Sequence, residues 1–163
     1  MADVSLFDPS DVAWLPVSPR LATGRRLAVA VPAAVLVVAV LVVVPLVGPG
    51  WWALLGLVPL VLAAWAWWVI GRQVRALGYA ERDEDLLVRR GVMFRSLVVV
   101  PYGRMQFVDV EAGPLARRLG YASVQLHTAS PATDAVIPGL VPDEAARLRD
   151  RLARRGEARL AGL

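Results

Sequence analysis

The residues that could carry out chemistry are few, and the first is the single histidine of the chain, His127. It falls on the polar side of a predicted strand, near the end of that strand. Structural zinc takes about four ligands, and a chain without cysteine offers this histidine no thiolate as a fellow ligand. We therefore expect an ordinary strand-end residue, with no metal site and no cofactor.

Acidic residues are the second source of possible chemistry. Asp109 and Glu111 lie two residues apart on one strand face, but paired carboxylates catalyse proton transfer only in a cleft that perturbs their pKa values. Arginines on a neighbouring strand are the simpler expected partners. The run Asp83-Glu84-Asp85 lacks the spacing of a calcium loop, and the sequence contains no phosphate-binding loop, serine elbow or zinc-helix motif. We predict no catalytic residues and no enzymatic activity.

The elements around these residues begin with an uncharged stretch from Leu27 to Gly71. A bilayer core takes about 20 helical residues per crossing, and Gly48-Pro49-Gly50 is a turn signal that divides the stretch. We therefore predict a transmembrane hairpin at residues 27–70, with helices over 27–47 and 51–70 and with Pro45 at the end of the first. A cytoplasmic segment, residues 1–26, precedes it.

Two other interpretations of the uncharged stretch are weaker. A signal peptide has an apolar region of about 7–15 residues, which is shorter than the first predicted helix. A buried soluble hairpin would need a second large apolar surface to cover it, which the rest of the chain does not supply. Because neither predicted helix contains an ionisable residue, we expect an anchor rather than a channel or pump. Gly56, Ala63 and Ala64 would permit close helix approach in a homo-oligomer.

The distribution of arginine predicts the orientation of the hairpin. Cytoplasmic flanks of membrane helices are enriched in positive charge, and the connecting loop here has none. The membrane-proximal basic residues are Arg20, Arg25, Arg26, Arg72 and Arg75. We expect both termini on the cytoplasmic side of the plasma membrane. The aromatic residues expected at the outer interface are Trp51 and Trp52, and those near the inner one are Trp65, Trp67 and Trp68.

Residues 71–163 differ in composition from the uncharged stretch, because they contain fifteen arginines and eleven acidic residues. Apolar and alternating runs predict six or seven short strands, the clearest at residues 79–82, 86–90, 95–100, 106–111, 121–127 and 133–137. In the fifth of these, Ala122, Val124 and Leu126 alternate with polar residues, which indicates an antiparallel sheet buried on one face.

One helix follows the predicted strands. Pro142 suits its first position, Gly156 is the expected end, and Leu148 and Leu152 lie on its buried face. The sequence therefore predicts an α+β membrane protein in which a two-helix transmembrane hairpin precedes a cytoplasmic domain at residues 71–156. Residues 157–163 are then a C-terminal tail.

One segment of the cytoplasmic half carries a specific resemblance. Residues 104–120 read R-M-Q-F-V-D-V-E-A-G-P-L-A-R-R-L-G. This resembles the pattern R-I-Q-x-V-D-x-x-x-G-P-L-x-R-x-x-G of bacterial membrane proteins with a pleckstrin-homology (PH) domain, the YdbS-like group, and departs from it only at Met105. Residues 14–20, 124–129, 137–140 and 146–152 are also similar. The resemblance implies a bent antiparallel PH-like β-barrel or sandwich capped by the C-terminal helix.

The matching segment is also the candidate interaction surface. Gly113 and Gly120 bracket a helical turn in which Leu115 and Leu119 are expected to be buried, and a structural corner that closes the barrel is favoured over a binding site. The candidate residues are Arg104, Gln106, Asp109, Gly113, Pro114, Leu115, Arg117, Arg118 and Gly120.

The absence of catalytic motifs and the two-helix anchor together predict a non-catalytic interaction or assembly module at the inner face of a bacterial plasma membrane. Its expected partners are the lipid bilayer and other membrane proteins, including a larger PH-domain relative. An anionic-lipid-sensing regulatory module is an open alternative because the inner leaflet attracts arginine, and an accessory subunit of a membrane transport or export complex is another. We expect no nucleic-acid partner, since acidic residues interleave with the arginines and aromatic residues are sparse.

Overall fold

The computed structural model describes residues 12–48, 50, 54, 57–129 and 134–161. The chain divides into two units, of which residues 1–21 and 73–163 form the first and residues 22–72 form the second. The first unit contains all the described strands, and the second contains most of two long helices.

Two long helices account for the uncharged stretch. Helix α1 spans Arg20–Val47 and helix α2 spans Leu57–Arg75. Both are long and apolar enough to cross a membrane, and large apolar side chains along them, such as Val35, Leu41 and Leu60, are exposed. Lipid is the medium in which an apolar surface of this length is stable.

Helix α1 begins at Arg20 rather than at the predicted Leu27. Its start is set by Ser18, whose Oγ accepts a hydrogen bond from the backbone N–H of Arg20 at 3.3 Å, and serine is a favoured residue at a helix start. The first turns therefore precede the apolar run, because hydrogen bonding and not hydropathy determines where the helix begins.

The predicted end of the first helix at Val47 is confirmed. The helix passes Pro45 without ending there, since proline is tolerated in membrane helices. Helix α2 ends at Arg75 instead of Ile70, because arginine and glutamine continue a helix readily beyond the apolar run. Several predicted features lie outside the described residues: the turn residue Pro49, the start of the second helix at Trp51, and also Trp52 and Gly56.

Sheet A contains four antiparallel strands in the order β1-β2-β3-β4. They span Leu15–Pro16, Gly78–Glu81, Asp85–Arg90 and Ser96–Pro101. Strand β1 precedes α1 and pairs with β2, with Pro16 opposite Gly78. The sequence did not predict β1, because two residues are too few to show the alternation of a strand.

Sheet B contains three antiparallel strands in the order β5-β6-β7. They span Met105–Glu111, Ala122–Thr128 and Ala135–Leu140. A 3₁₀ helix, Tyr102–Arg104, leads from sheet A into β5, and the short helix α3, Pro114–Leu119, joins β5 to β6. Buried and half-buried residues alternate along β6, as the sequence predicts.

Strand β7 continues through Pro138 and Gly139, where the sequence predicts a break. The pairing shifts between Ala122 and Val124 of β6, which lie opposite Leu140 and Ile137 of β7. This is a β-bulge, and a bulge accommodates proline because the extra residue needs no place in the hydrogen-bond ladder. The predicted strand start at Thr133 lies outside the described residues.

Helix α4 spans Pro142–Ala161 and contacts β5, β6 and the 3₁₀ helix. Ala145, Leu148 and Leu152 are fully buried, as predicted. The predicted helix end at Gly156 is wrong, since residues 157–161 are also helical. Gly156 is buried, and a Cβ atom there would lie at an ordinary contact distance, 3.8 Å, from the carbonyl oxygen of Tyr102, so the packing of α4 on the 3₁₀ helix offsets the low helix propensity of glycine.

The predicted α+β architecture is confirmed: apolar helices, antiparallel sheets and a C-terminal helix give a membrane protein with a PH-like fold. Within the part of the chain that the structure describes, the sheets have four and three strands and do not join into a closed barrel.

Candidate functional site

The nine candidate residues lie on the 3₁₀ helix, β5, α3 and the residues that flank α3. Eight of them are exposed and Gly120 is half-buried. We call the set the motif surface: Arg104, Gln106, Asp109, Gly113, Pro114, Leu115, Arg117, Arg118 and Gly120. The structure therefore places this segment on the outside of the domain, where its side chains are available for contact.

Helix α3 turns the chain from β5 into β6. It starts after Gly113 with Pro114 in its first turn, and the backbone N–H of Arg117 donates to the carbonyl of Gly113 at 2.9 Å. Gly113 has an extended backbone that any residue adopts, whereas Gly120 ends the helix at φ 70°, in the left-handed region that favours glycine. Of the two glycines that bracket α3, only Gly120 therefore has a backbone conformation that favours glycine.

The burial predicted for α3 is partly wrong. Leu115 is 40% exposed and Leu119 is half-buried, while Ala116 is the residue that packs inward. The backbone N–H of Tyr121 donates to the Ala116 carbonyl at 3.0 Å, which turns this side of the short helix towards the domain. Leu115 is left on the outer side with Arg117 and Arg118, whose exposure agrees with the prediction.

Strand β5 lies at the edge of sheet B and, among the described residues, pairs only with β6. The acidic side chains on its outer face have partners other than the predicted arginines. Glu111 accepts a hydrogen bond from the Gln125 side chain at 2.6 Å, and Asp109 lies 3.7 Å from Nε2 of His127. The partners are the residues that the β5–β6 register places on the same face.

His127 forms the centre of a small cluster on the outer face of sheet B. Its ring stacks on Phe107 with 4.3 Å between centroids, and its Nδ1 lies 3.5 Å from Oδ2 of Asp134. The histidine lies near the end of β6, as the sequence predicts, and it is half-buried. No group of three His, Asp or Glu residues suited to a metal ion occurs within the described ranges, and the absence of a cofactor stays a prediction.

Apolar side chains accompany the charges of the motif surface. Phe107 is 51% exposed and Val110 is 38% exposed on β5. Phe107 shares the outer face of sheet B with Asp109 and His127, whereas Val110 lies opposite Val124 on the other face. Leu115 adds an exposed apolar side chain on α3, the helix that also carries the exposed Arg117 and Arg118. The combination of apolar and arginine side chains is typical of protein interfaces.

The N-terminal segment packs on the same domain. Arg20 donates from Nη1 to the carbonyl of Gly120 at 3.1 Å, and the backbone N–H of Ser18 donates to the carbonyl of Gly139 at 2.7 Å. Leu21 is buried and lies against Gly139. The structure thus joins a membrane-proximal arginine to the last residue of the motif surface, which sequence reasoning did not foresee.

The other membrane-proximal arginines lie along the long helices. The guanidinium of Arg26 lies 4.5 Å from the ring centroid of Trp67, and that of Arg72 lies 4.9 Å from the ring of Trp68. Arg75 is the last residue of α2, and Arg25 belongs to the first turns of α1. Arginine over tryptophan is a favourable cation–π arrangement, and the interfacial position of these tryptophans stays a prediction.

An ion-pair cluster that the sequence analysis missed fastens α4 to sheet A. Arg147 pairs with Glu81 at 2.9 Å and also with Glu144, and Arg151 pairs with Glu81 at 3.1 Å. The Tyr79 hydroxyl donates to Glu144 at 2.6 Å. The Glu144–Arg147 spacing of three was the available signal, but its partner Glu81 is distant in sequence.

The same cluster shifts the pKa values of its members. The hydrogen bond from Arg147 lowers the pKa of the Glu144 carboxyl, and the contact with Glu144 raises the pKa of the Arg147 guanidinium. Burial raises the pKa of the Tyr79 hydroxyl, and its bond to Glu144 adds to the rise. At neutral pH the charged forms of Glu144 and Arg147 and the neutral form of Tyr79 are therefore favoured.

Tyr102 makes a second connection to α4. Its hydroxyl donates to the Arg82 carbonyl at 2.9 Å and accepts from Nη1 of Arg155 at 2.8 Å. The side chain is almost fully buried, and this burial raises the pKa of the hydroxyl. Both connections hold the C-terminal helix against the end of sheet A that carries the β2–β3 turn.

Comparisons with known proteins agree with this architecture. The family model described as the bacterial PH domain matches residues 20–156. Among curated proteins, the transmembrane protein YdbS of Bacillus subtilis (strain 168) is 37% identical over 76 residues, which is 47% of this chain and 46% of that protein. The chain thus aligns with about half the length of the curated relative that it matches. No solved structure matches the chain.

Proposed function

Because the chain belongs to the bacterial PH domain family, we propose that it is a non-catalytic interaction and assembly module at the inner face of the plasma membrane. Two apolar helices hold it in the bilayer. The motif surface then binds another membrane protein, and the domain needs no bound cofactor for this role.

The observation that carries the proposal is the exposure of the motif surface along an edge strand. Eight of its nine residues are exposed, and β5 pairs on one side only within the described chain. An edge strand presents backbone N–H and C=O groups to which a second strand can add. The exposed Phe107 on the outer face of β5 and the exposed Leu115 on α3 supply apolar contacts near that edge.

The partner is a protein in the same bilayer that offers an extended segment to β5. Membrane anchoring confines both proteins to one surface, which raises their effective concentration and lets a modest interface suffice. The motif surface has Asp109 on the strand and Arg117 and Arg118 on α3, so the partner segment carries basic and acidic residues in the complementary order. A larger PH-domain relative and a second copy of this chain both meet this description.

The orientation of the membrane hairpin is part of the proposal. Arginines flank the two helices at Arg20, Arg25, Arg26, Arg72 and Arg75, and cytoplasmic flanks are the positive ones. Both termini then lie in the cytoplasm. A reporter that is active only in the periplasm, fused to the C-terminus, is expected to stay inactive, and periplasmic activity would overturn the orientation.

Site-directed crosslinking in native membranes tests the interface. The chain contains no cysteine, so Gln106→Cys places a single thiol on the β5 edge for a bifunctional or photoactivated reagent. Arg154→Cys, on an exposed position of α4, is the matched control. We expect an adduct from Gln106→Cys that weakens when Arg117→Glu and Arg118→Glu are added, and little adduct from Arg154→Cys.

The mass of the adduct distinguishes a second copy from a different membrane protein. Recovery of only monomer from Gln106→Cys, with the protein intact and inserted, would contradict the proposal. Equal adduct from both positions would also contradict it, because the contact would then be independent of the motif surface.

A further inference from the structure

The turn between β3 and β4, residues 91–95, exposes two large apolar side chains at its tip. Met93 is 85% exposed and Phe94 is 86% exposed, the highest values among the large apolar residues that the structure describes. A sequence motif did not point to them, and neither belongs to the motif surface. We call residues 91–95 the hairpin tip.

The hairpin tip has a tightly folded backbone. Gly91 has φ 94°, and a Cβ atom at this position would lie 1.9 Å from the carbonyl oxygen of Phe94. Only glycine permits so close an approach at this backbone conformation. Below the tip, Arg90 pairs with Ser96 in the β3–β4 ladder. The chain therefore turns sharply at Gly91, and Met93 and Phe94 lie on the outside of the turn.

Arginine surrounds the apolar tip. Arg89 and Arg90 precede the turn and Arg95 follows it. Arg89 lies over the Trp14 ring at 4.5 Å, and Arg90 donates to Ser96 Oγ at 3.2 Å. Among the residues that the structure describes, no carboxylate pairs with Arg90 or Arg95. Apolar side chains within a set of cations are complementary to an anionic bilayer, in which headgroups meet the charges and acyl chains meet the apolar groups.

The strand register places the hairpin tip at one particular end of sheet A. Gly78, the first residue of β2, lies opposite Arg89, and Gly78 follows Arg75, the last residue of α2, by only three positions. Three residues reach at most about 10 Å. The chain therefore enters sheet A from a membrane-crossing helix at the same end at which β3 turns into β4.

The N-terminal connection arrives at that end as well. Pro16 of β1 lies opposite Gly78, and α1 starts at Arg20. The β2–β3 turn lies at the other end of the sheet and carries Asp83 and Glu84. An anionic surface would repel that acidic turn and attract the arginines of the hairpin tip.

We propose that the hairpin tip inserts Met93 and Phe94 into the anionic inner leaflet while Arg90 and Arg95 bind lipid headgroups. This gives the domain a third contact with the bilayer besides α1 and α2, and it fixes which end of sheet A faces lipid. The inference rests on the proposed placement of the domain at the inner face of the membrane, and it is independent of the protein partner.

Fluorescence of a single labelled thiol tests the insertion in the full chain. Phe94→Cys carries an environment-sensitive dye in protein reconstituted into vesicles of mixed zwitterionic and anionic phospholipid. Asp83→Cys, at the acidic turn, is the matched control. We expect a blue-shifted emission from position 94 that nitroxide-labelled acyl chains quench, and a water-like, unquenched emission from position 83. Purely zwitterionic vesicles or added salt should reduce the effect at position 94.

Each contrary result removes part of the assignment. Water-like emission at position 94 in anionic vesicles would overturn the insertion. A blue shift without lipid quenching would assign the tip to a protein contact, such as a second copy, and equal insertion in purely zwitterionic vesicles would overturn the role of the arginines. Met93→Cys repeats the measurement if the Phe94 variant fails to fold. None of these outcomes depends on the crosslinking result at Gln106, so the two proposals fail separately.

Discussion

The two ends of sheet A differ in the charge and polarity of their side chains. The β3–β4 end carries exposed Met93 and Phe94 among arginines, whereas the β2–β3 end carries Asp83, Glu84 and Asp85. At the second end, side chains bond back into the domain, since Arg82 pairs with Asp85 at 2.9 Å. The β2–β3 end therefore contributes contacts that stabilise the domain, whereas the β3–β4 end exposes side chains that can contact other molecules.

This difference separates two kinds of effect. Substitution of the residues that connect the β2–β3 end to α4, Tyr102 and Glu81, should lower the free energy of unfolding. Substitution of Met93 or Phe94 at the hairpin tip should leave folding intact and change contact with lipid.

The largest effect is expected from Tyr102→Ala. Tyr102 is almost fully buried and bonds both the Arg82 carbonyl and Arg155. Removing a buried aromatic side chain costs about 3–5 kcal/mol of unfolding free energy. Thermal or denaturant unfolding of the full chain in detergent or nanodiscs measures the loss. A change below 1 kcal/mol would show that this end does not fasten α4, and the comparison would fail.

Glu81→Gln should cost less, about 1–3 kcal/mol, because two arginines then face a neutral amide. The Glu81 side chain is 9% exposed and pairs with both Arg147 and Arg151. Asp83→Asn, two residues away in the exposed turn, serves as the control and should change stability by less than about 0.5 kcal/mol. Equal losses in the two variants would indicate a general charge effect rather than the ion-pair cluster.

The pH dependence of stability sharpens the same point. The pKa of Glu144 is lowered from its ordinary value of 4.5 by the hydrogen bond from Arg147. The unfolded carboxyl thus binds protons at a higher pH than the folded one. The stabilisation is fully present above pH 4.5 and is lost as the pH falls through the folded value. In the Glu144→Gln variant, the free energy of unfolding should fall less between neutral and acidic pH than in the original protein. An unchanged pH dependence would exclude Glu144 as its source.

The smallest effect on folding is expected from Phe94→Ala. The side chain is 86% exposed, so the unfolding free energy should change by no more than about 0.5 kcal/mol, in contrast to Tyr102→Ala at the other end. The same variant should lose contact with anionic lipid, read from a dye on Met93→Cys. A large loss of stability would show that Phe94 packs within the protein and would contradict the division.

Much of the fold could be predicted from the sequence where a physical signal is local. The uncharged stretch indicated two membrane helices, the alternation of Ala122, Val124 and Leu126 indicated a one-sided strand, and Leu148 and Leu152 marked the buried face of α4. Each rests on the periodicity of neighbouring residues, and each is confirmed.

What the sequence could not show depends on contacts between distant residues. Strand β1 exists because Leu15 pairs with Tyr79, and α4 passes Gly156 because this part of the helix packs on the 3₁₀ helix and Arg155 bonds Tyr102. Leu115 is exposed because the buried position of α3 falls on Ala116. The candidate surface was located through a resemblance, whereas the exposure of Phe94 and the opposite charges of the two sheet ends required the strand register.

Sided thiol labelling in cells tests the central claim that the two ends of sheet A meet different media. A membrane-impermeant maleimide is applied to intact and to opened cells that carry Asp83→Cys or Phe94→Cys in the otherwise cysteine-free chain. The account predicts that Asp83→Cys reacts only after the cells are opened, and that Phe94→Cys stays protected until detergent removes the lipid. Reaction of Asp83→Cys in intact cells, or equal reaction of both thiols in opened cells, would contradict it.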